Sequence, residues 1–119
     1  MVKVFEMEVA RTGLQEREIQ QLGLAYVSAK IEGWTRAGYY PGAGRITVKV
    51  FAEKGSGHLL GGQIVGTEGA AKRIDVLATA LHAGLTVEEV LNLDLGYSPP
   101  FSPAWDPVLI AARQAAGMV

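Results

Sequence analysis

The 119-residue chain contains no cysteine. It therefore has no disulfide, no thiolate metal ligand and no cysteine nucleophile. Disulfides are rare in reducing compartments, so the absence is compatible with the cytoplasmic location that we predict. The two histidines, His58 and His82, have no second ligand at metal-binding spacing, and we predict solvated or interface histidines and no metal site.

Long apolar runs and an excess of basic charge are also lacking. No hydrophobic stretch reaches the ~18 residues of a membrane span, and no charged segment with a following apolar segment opens the chain. Eleven Lys and Arg residues against twelve Asp and Glu residues give a net charge of −1. Without a basic stripe to neutralise phosphates, we predict neither a nucleic-acid nor a membrane partner.

A phosphate-binding glycine loop is lacking as well. The run Gly55-Ser56-Gly57 begins like a GxGxxG motif, but Leu60 occupies the third glycine position and a strand pattern follows. We interpret this run as a hairpin turn. No nucleophile lies beside a base in the sequence, so we expect no enzymatic activity from the chain alone.

What the sequence does contain is three segments that alternate apolar and polar residues, around 5–9, 25–32 and 45–53, and an apolar segment at 59–66 that follows hairpin-turn residues. These patterns predict four strands. The last strand is apolar on both faces and should lie in the centre of the sheet. Between the first two strands, Thr12 and Gln15 form a capping-box pattern that predicts a short helix over 15–22.

From residue 70 onward the hydrophobic period becomes helical. It predicts a helix over 70–83 that ends at Gly84, with Lys72, Arg73 and Asp75 away from its apolar face. A second capping box predicts a short helix after residue 86, and an Asp-Pro pair starts a terminal helix at 107. The order β-α-β-β-β-α-α-α predicts an α+β fold, in which helices pack on one side of a mainly antiparallel four-stranded sheet.

The most distinctive segment is residues 95–107, which holds four prolines and three aromatic rings. The prolines fix the backbone in an extended form, so the rings form a rigid apolar surface. Such a surface is suited to a cofactor, a peptide or a partner subunit. Tyr97 in this segment, and Tyr39 and Tyr40 in a glycine-containing loop, could either serve a site or cover a sheet edge or interface.

Residues 62–66, 71–86 and 93–107 resemble the C-terminal dimerisation domain of the pyridine nucleotide-disulfide oxidoreductases. The similarity includes the pattern Tyr-x-Pro-Pro-Phe-Ser-Pro-x-Trp-Asp-Pro, which starts at Tyr97. It is greatest for the branch with coenzyme A-disulfide reductase, NADH oxidases and peroxidases. The resemblance implies one dimerisation domain over 1–119, from which the FAD and NAD(P)H domains of the complete enzyme are absent. This chain alone should then bind no cofactor.

The resemblance also implies a homodimer in which each domain reaches into its partner's flavin and cysteine site. The positions that match the tyrosines approaching the redox cysteine in this branch are Tyr97 and either Tyr40 or its neighbour Tyr39. A phenol with a pKa near ~10 stays protonated at neutral pH and can donate a hydrogen bond to a sulfur anion. The walls of the flavin-side pocket would be Pro99, Pro100 and Phe101. We assign the helix over 70–83 to the two-fold interface, because its small residues allow close approach of a partner; these are Ala70, Ala71, Ala78, Ala80 and Ala83.

The substrate stays open at this point among coenzyme A disulfide, persulfide, polysulfide, oxygen and peroxide. In the glutathione reductase branch a His-Pro pair is the acid and base, and this chain has no histidine after Leu85. That departure argues against glutathione. The alternative function is a free-standing homodimeric module that binds a ligand or peptide without catalysis.

Overall fold

The structure is a computed structural model that describes residues 1–39, 41–97, 101–103 and 105–119. Its elements follow the order β-β-α-β-β-β-α-α-α along the chain. They are β1 (Val2–Val4), β2 (Met7–Gly13), α1 (Glu16–Gln21), β3 (Tyr26–Trp34), β4 (Arg45–Glu53), β5 (Leu59–Gly66), α2 (Ala70–His82), α3 (Val87–Leu91) and α4 (Pro107–Ala116).

One antiparallel sheet of five strands carries the fold, in the order β1-β2-β5-β4-β3. The prediction of an α+β fold with an antiparallel sheet is confirmed, but the prediction of four strands is wrong. The predicted first strand is a hairpin, in which Val4 pairs with Met7 and Phe5 adopts a positive φ of 55° in the turn. The central position predicted for the last strand is confirmed, because β5 lies between β2 and β4.

The hydrophobic core lies between one face of this sheet and the later helices. On β4, Ile46, Val48 and Val50 alternate inward, as the period of two predicts, and each is buried. Helix α2 packs over β2 and β5, while α4 packs over β3 and β4 and contacts α3. The core therefore places the N-termini of α2 and α4 near each other at one end of the sheet.

Helix α1 lies on the opposite face, so the prediction that the helices pack on one side of the sheet is wrong for this element. Its Glu16 accepts a hydrogen bond from the Tyr26 hydroxyl at 2.8 Å and contacts Lys49 at 3.6 Å. Both partners lie on the sheet face away from Val48 and Val50. The N-cap of α1 is Gln15, whose backbone N–H donates to Glu18, and not Thr12 as the sequence pattern predicted.

The other predicted helix starts are confirmed. Thr86 and Glu89 bond reciprocally at the start of α3, and Asp106 caps α4 with Pro107 as its first residue. Among the helices that the structure describes, none has the length and apolarity needed to cross a membrane. Within the same described residues, no three His, Asp or Glu side chains gather in a way that could hold a metal ion.

Candidate functional site

Two loops that carry predicted site residues meet beside the N-terminus of α2. The first joins β3 to β4 and is called here the 35–44 loop; it contains Tyr39. The second joins α3 to α4 and is called the 92–106 loop; it contains Tyr97 and Phe101. Both loops are fixed by hydrogen bonds from side chains near their ends, which determine where the aromatic residues lie.

Thr35 and Arg36 anchor the 35–44 loop. The backbone N–H of Thr35 donates to the carbonyl of Gly44 at 2.9 Å, and Gly44 donates back to the Thr35 hydroxyl at 3.0 Å. Arg36 binds the Glu68 carboxylate with two nitrogens, at 2.7 and 2.9 Å, and donates to the Pro41 carbonyl at 3.1 Å. A bidentate pair of this kind fixes direction as well as distance. The loop tip with Tyr39 therefore projects from a closed base.

A hydrogen bond within the 92–106 loop, from Ser102, holds the two sides of the loop together. The Ser102 hydroxyl donates to the carbonyl of Gly96 at 3.0 Å, and its side chain is buried. The far end of the loop is fixed where the Asp106 carboxylate accepts the backbone N–H of Val108 at 2.9 Å. The described aromatic residues of this loop, which are Tyr97, Phe101 and Trp105, all remain exposed.

Arg73 of α2 donates hydrogen bonds to both loops. Its Nε pairs with Asp106 at 3.0 Å, and its Nη2 donates to the carbonyls of Thr35 at 2.8 Å and Phe101 at 3.3 Å. Only 9% of Arg73 is exposed. A buried guanidinium requires such compensation, since its charge loses contact with water.

Tyr39 and Tyr97 are the two site tyrosines that the structure describes. Tyr39 is 78% exposed and Tyr97 51% exposed. The pKa of Tyr97 is raised above its ordinary value, first by a side-chain hydrogen bond to Tyr39 and then by partial desolvation and the electrostatic effect of Tyr39. The phenol of Tyr97 is therefore protonated at neutral pH. The effect of Tyr39 on Tyr97 was not predicted from the sequence.

The predicted flavin-side residues are only partly described. Phe101 is 78% exposed and borders an open cleft of about 320 Å³ with Thr35, Arg36 and Arg73. Tyr40, Pro99 and Pro100 lie outside the described residues. Both guanidinium groups in the cleft are paired with carboxylates, Arg36 with Glu68 and Arg73 with Asp106. The described part of the cleft thus offers an exposed aromatic ring beside two paired guanidinium groups, and it does not fit a pyrophosphate-holding loop.

Sequence reasoning placed Arg73 away from the apolar face of its helix, and the structure corrects this. Arg73 lies among the buried residues of α2 with Ile74 and Leu77. The charge of Arg73 favoured an exposed side chain. Its spacing of four residues from Leu77 places it on the same helix face as the core, and this was the signal that could have predicted its burial. The interface helix also needs correction, because Ala70 and Ala80 face the sheet and are buried, which leaves the outer small residues Ala71, Ala78 and Ala83.

Comparison with known proteins identifies the class to which these features belong. Residues 1–108 match the family described as pyridine nucleotide-disulphide oxidoreductase, dimerisation domain. Because the match covers most of the chain, the chain belongs to this family. The expectation drawn from the 62–107 pattern is thereby confirmed.

The relatives narrow the class further. The chain is 39% identical to the NAD(P)H coenzyme A polysulfide/persulfide reductase of Pyrococcus horikoshii, over 95% of this chain and 25% of that protein. It is 34% identical to the coenzyme A disulfide reductase of Staphylococcus haemolyticus, over 97% of this chain and 26% of that protein. The structure of an NAD-dependent persulfide reductase from A. fulgidus superimposes with a TM-score of 0.94 at 45% identity, covering 98% of this chain and 22% of that one.

The chain is thus a dimerisation domain of a pyridine nucleotide-disulfide oxidoreductase related to coenzyme A disulfide and persulfide reductases. It spans about a quarter of the length of these relatives.

Proposed function

We propose that this domain completes, in trans, the sulfur-reducing site of an FAD- and NAD(P)H-dependent reductase of coenzyme A disulfides or persulfides. The domain pairs with a second copy of itself, and each copy presents Tyr39, Tyr40 and Tyr97 to a redox cysteine beside the partner's flavin. Pro99, Pro100 and Phe101 line the flavin side of the same surface. The FAD and NAD(P)H domains belong to a further part of the enzyme, and the whole range 1–119 is the dimerisation domain.

The observation that carries this proposal is the exposed phenol pair on an anchored base. Tyr39 and Tyr97 come from loops more than fifty residues apart in the chain, and Arg73 donates hydrogen bonds to both loops. A side-chain hydrogen bond to Tyr39 raises the pKa of Tyr97. Both are exposed, although large aromatic side chains are more commonly buried in a core. Hydrogen-bond donors that are held in place are what stabilisation of a developing anion requires.

The chemistry assigned to these phenols is hydrogen-bond donation. When a thiolate leaves a disulfide or persulfide, negative charge develops on sulfur, and a protonated phenol directed at that sulfur stabilises it without ionising. The raised pKa of Tyr97 keeps its proton in place across the neutral range. The flavin, when bound in the complete enzyme, supplies the electrons. The residues of this chain orient the substrate sulfur and limit its contact with water.

Replacement of the tyrosines by phenylalanine tests the proposal. The chain is joined to the flavin and nicotinamide domains of the Pyrococcus horikoshii relative in place of its matching quarter, and NAD(P)H-dependent reduction of coenzyme A disulfide and persulfide is measured. Tyr97→Phe should lower kcat by about 100-fold with a smaller change in KM, since it removes one oxyanion-type donor. Tyr39→Phe should lower kcat less, because Tyr97 keeps its donor.

Tyr26→Phe is the matched control. Tyr26 bonds Glu16 on the opposite face of the sheet, so the same loss of a hydroxyl should leave kcat unchanged. If the chimera with Tyr97→Phe turns over as fast as the chimera with Tyr26→Phe, Tyr97 has no part in the mechanism. That result would favour a purely structural or ligand-binding role for this surface.

A further inference from the structure

Arg73 bonds to both loops that carry the tyrosines. Its guanidinium donates to the Thr35 carbonyl, at the base of the 35–44 loop, and to the Phe101 carbonyl, within the 92–106 loop. The Nε of the same side chain pairs with Asp106, where the second loop enters α4. Among the described residues, no other side chain has hydrogen bonds to both loops.

We propose that Arg73 is a positioning residue that fixes the loop with Tyr39 against the loop with Tyr97 through the carbonyls of Thr35 and Phe101. This step rests on the proposed function for its catalytic meaning. The claim that the Arg73 guanidinium links the positions of the two loops depends only on the hydrogen bonds described above.

The geometry suits arginine and no other residue. The three acceptors lie around one planar guanidinium, whose five N–H donors form a rigid fork. A lysine ammonium reaches a single point and cannot hold Asp106, Thr35 and Phe101 in fixed directions. Arg73 is also nine-tenths buried, so solvent does not compete for its donors.

Gly69 shows how little room the guanidinium has. It is the N-cap of α2, with a φ of 75°, and a Cβ built on it would overlap Arg73 Nη1. A methyl group at residue 69 would therefore displace the guanidinium without changing its charge. Gly84 at the other end of the helix has a similar φ of 68° and nothing within 4 Å of such a Cβ.

The test is nuclear magnetic resonance of the 119-residue chain with Arg73→Lys. The measurements are the Overhauser contact between the Tyr39 and Tyr97 rings and the pKa of each tyrosine. We expect loss of the ring contact and a fall in the pKa of Tyr97 toward its ordinary value of about 10. The pKa of Tyr26 is raised by its hydrogen bond to Glu16 on the other sheet face, and it should not change.

Two matched pairs separate positioning from general loosening of the fold. Arg113→Lys is the same substitution on exposed α4 surface and should leave the ring contact and both pKa values as they are. Gly69→Ala should reproduce the Arg73→Lys result, while Gly84→Ala, which carries the same backbone strain, should not. Because Gly69→Ala and Gly84→Ala leave Arg73 itself unchanged, this pair tests the proposal even if Arg73→Lys does not fold.

Folded Arg73→Lys and Gly69→Ala proteins that both keep the ring contact would overturn the proposal. A parallel fall in the pKa values of Tyr26 and Tyr97 would overturn it too, because it would show loosening of the whole domain. In the chimeric enzyme, Arg73→Lys should lower kcat and leave KM nearly unchanged. If the ring contact is lost but turnover is unaffected, the proposed function fails, and the positioning of the loops by Arg73 is upheld.

Discussion

The energetics of the site at the residue scale depend on the buried pair of Arg73 and Asp106. Each charge is about one-tenth exposed, so both lose most of their hydration on folding. The loss is offset because each charged group has further partners: Arg73 donates to two carbonyls and Asp106 accepts from Val108. Removing one partner of such a pair costs more than the pair itself contributes, since the other charge stays buried alone.

Asp106→Ala should therefore lower the free energy of unfolding by about 3–5 kcal/mol. Part of this loss, about 1 kcal/mol, comes from the uncapped α4. Asp75→Ala is the control, because Asp75 pairs with Lys72 on exposed helix surface and should cost less than about 1 kcal/mol. Urea denaturation of the three proteins measures these values, and equal losses for Asp75 and Asp106 would contradict the role given to the buried pair.

At the scale of elements, strands were predicted correctly where apolar and polar residues alternate regularly. β4 was predicted with its bounds because Ile46, Val48 and Val50 alternate without interruption. The β1–β2 hairpin was missed, although the apolar residues change phase between Val4 and Met7. A shift of one residue turns side chains to the other face of a strand, so this change of phase indicated a turn at residues 5 and 6.

The same turn supplies a prediction about the hairpin. Phe5 adopts a φ of 55°, which costs a non-glycine residue about 1–2 kcal/mol, and its ring is 93% exposed. Phe5→Gly should raise the free energy of unfolding by about 0.5–1 kcal/mol, because glycine adopts this conformation without strain. Leu22→Gly removes another exposed apolar residue, which has a negative φ, and should not stabilise. Thermal unfolding followed by circular dichroism decides the matter; a lower midpoint for Phe5→Gly would refute the assigned strain.

At the scale of the whole molecule, the sheet topology and the core bring distant loops into one site. The sequence could indicate that Tyr39, Tyr97 and Phe101 were candidates, because aromatic residues between glycines and prolines are poor core residues. It could not indicate that the loops with Tyr39 and Tyr97 meet, or that Arg73 joins both of them. Those contacts follow from the packing of α2 over β5 and α4 over β3, which a pattern in one chain does not encode.

Apolar residues remain on the surface of the assembled domain. The hairpin exposes Val2, Val4 and Phe5 at one sheet edge, and the site loops expose Tyr39 and Phe101. Exposed aromatic and aliphatic residues of this kind are typical of protein interfaces, which fits the homodimer in the proposed function. If each site is made from two copies, defects in different copies should compensate each other.

Complementation between two inactive chimeras tests the trans arrangement most directly. One chimera carries Tyr39→Phe with Tyr97→Phe, and the other carries a serine in place of the flavin-side cysteine in its upstream part. When the two are mixed and allowed to exchange subunits, each mixed dimer should hold one intact site, so activity should return to about a quarter of the unaltered enzyme. A mixture that exchanges subunits and stays inactive would place the tyrosines and the cysteine of one site on the same chain, and would contradict the account.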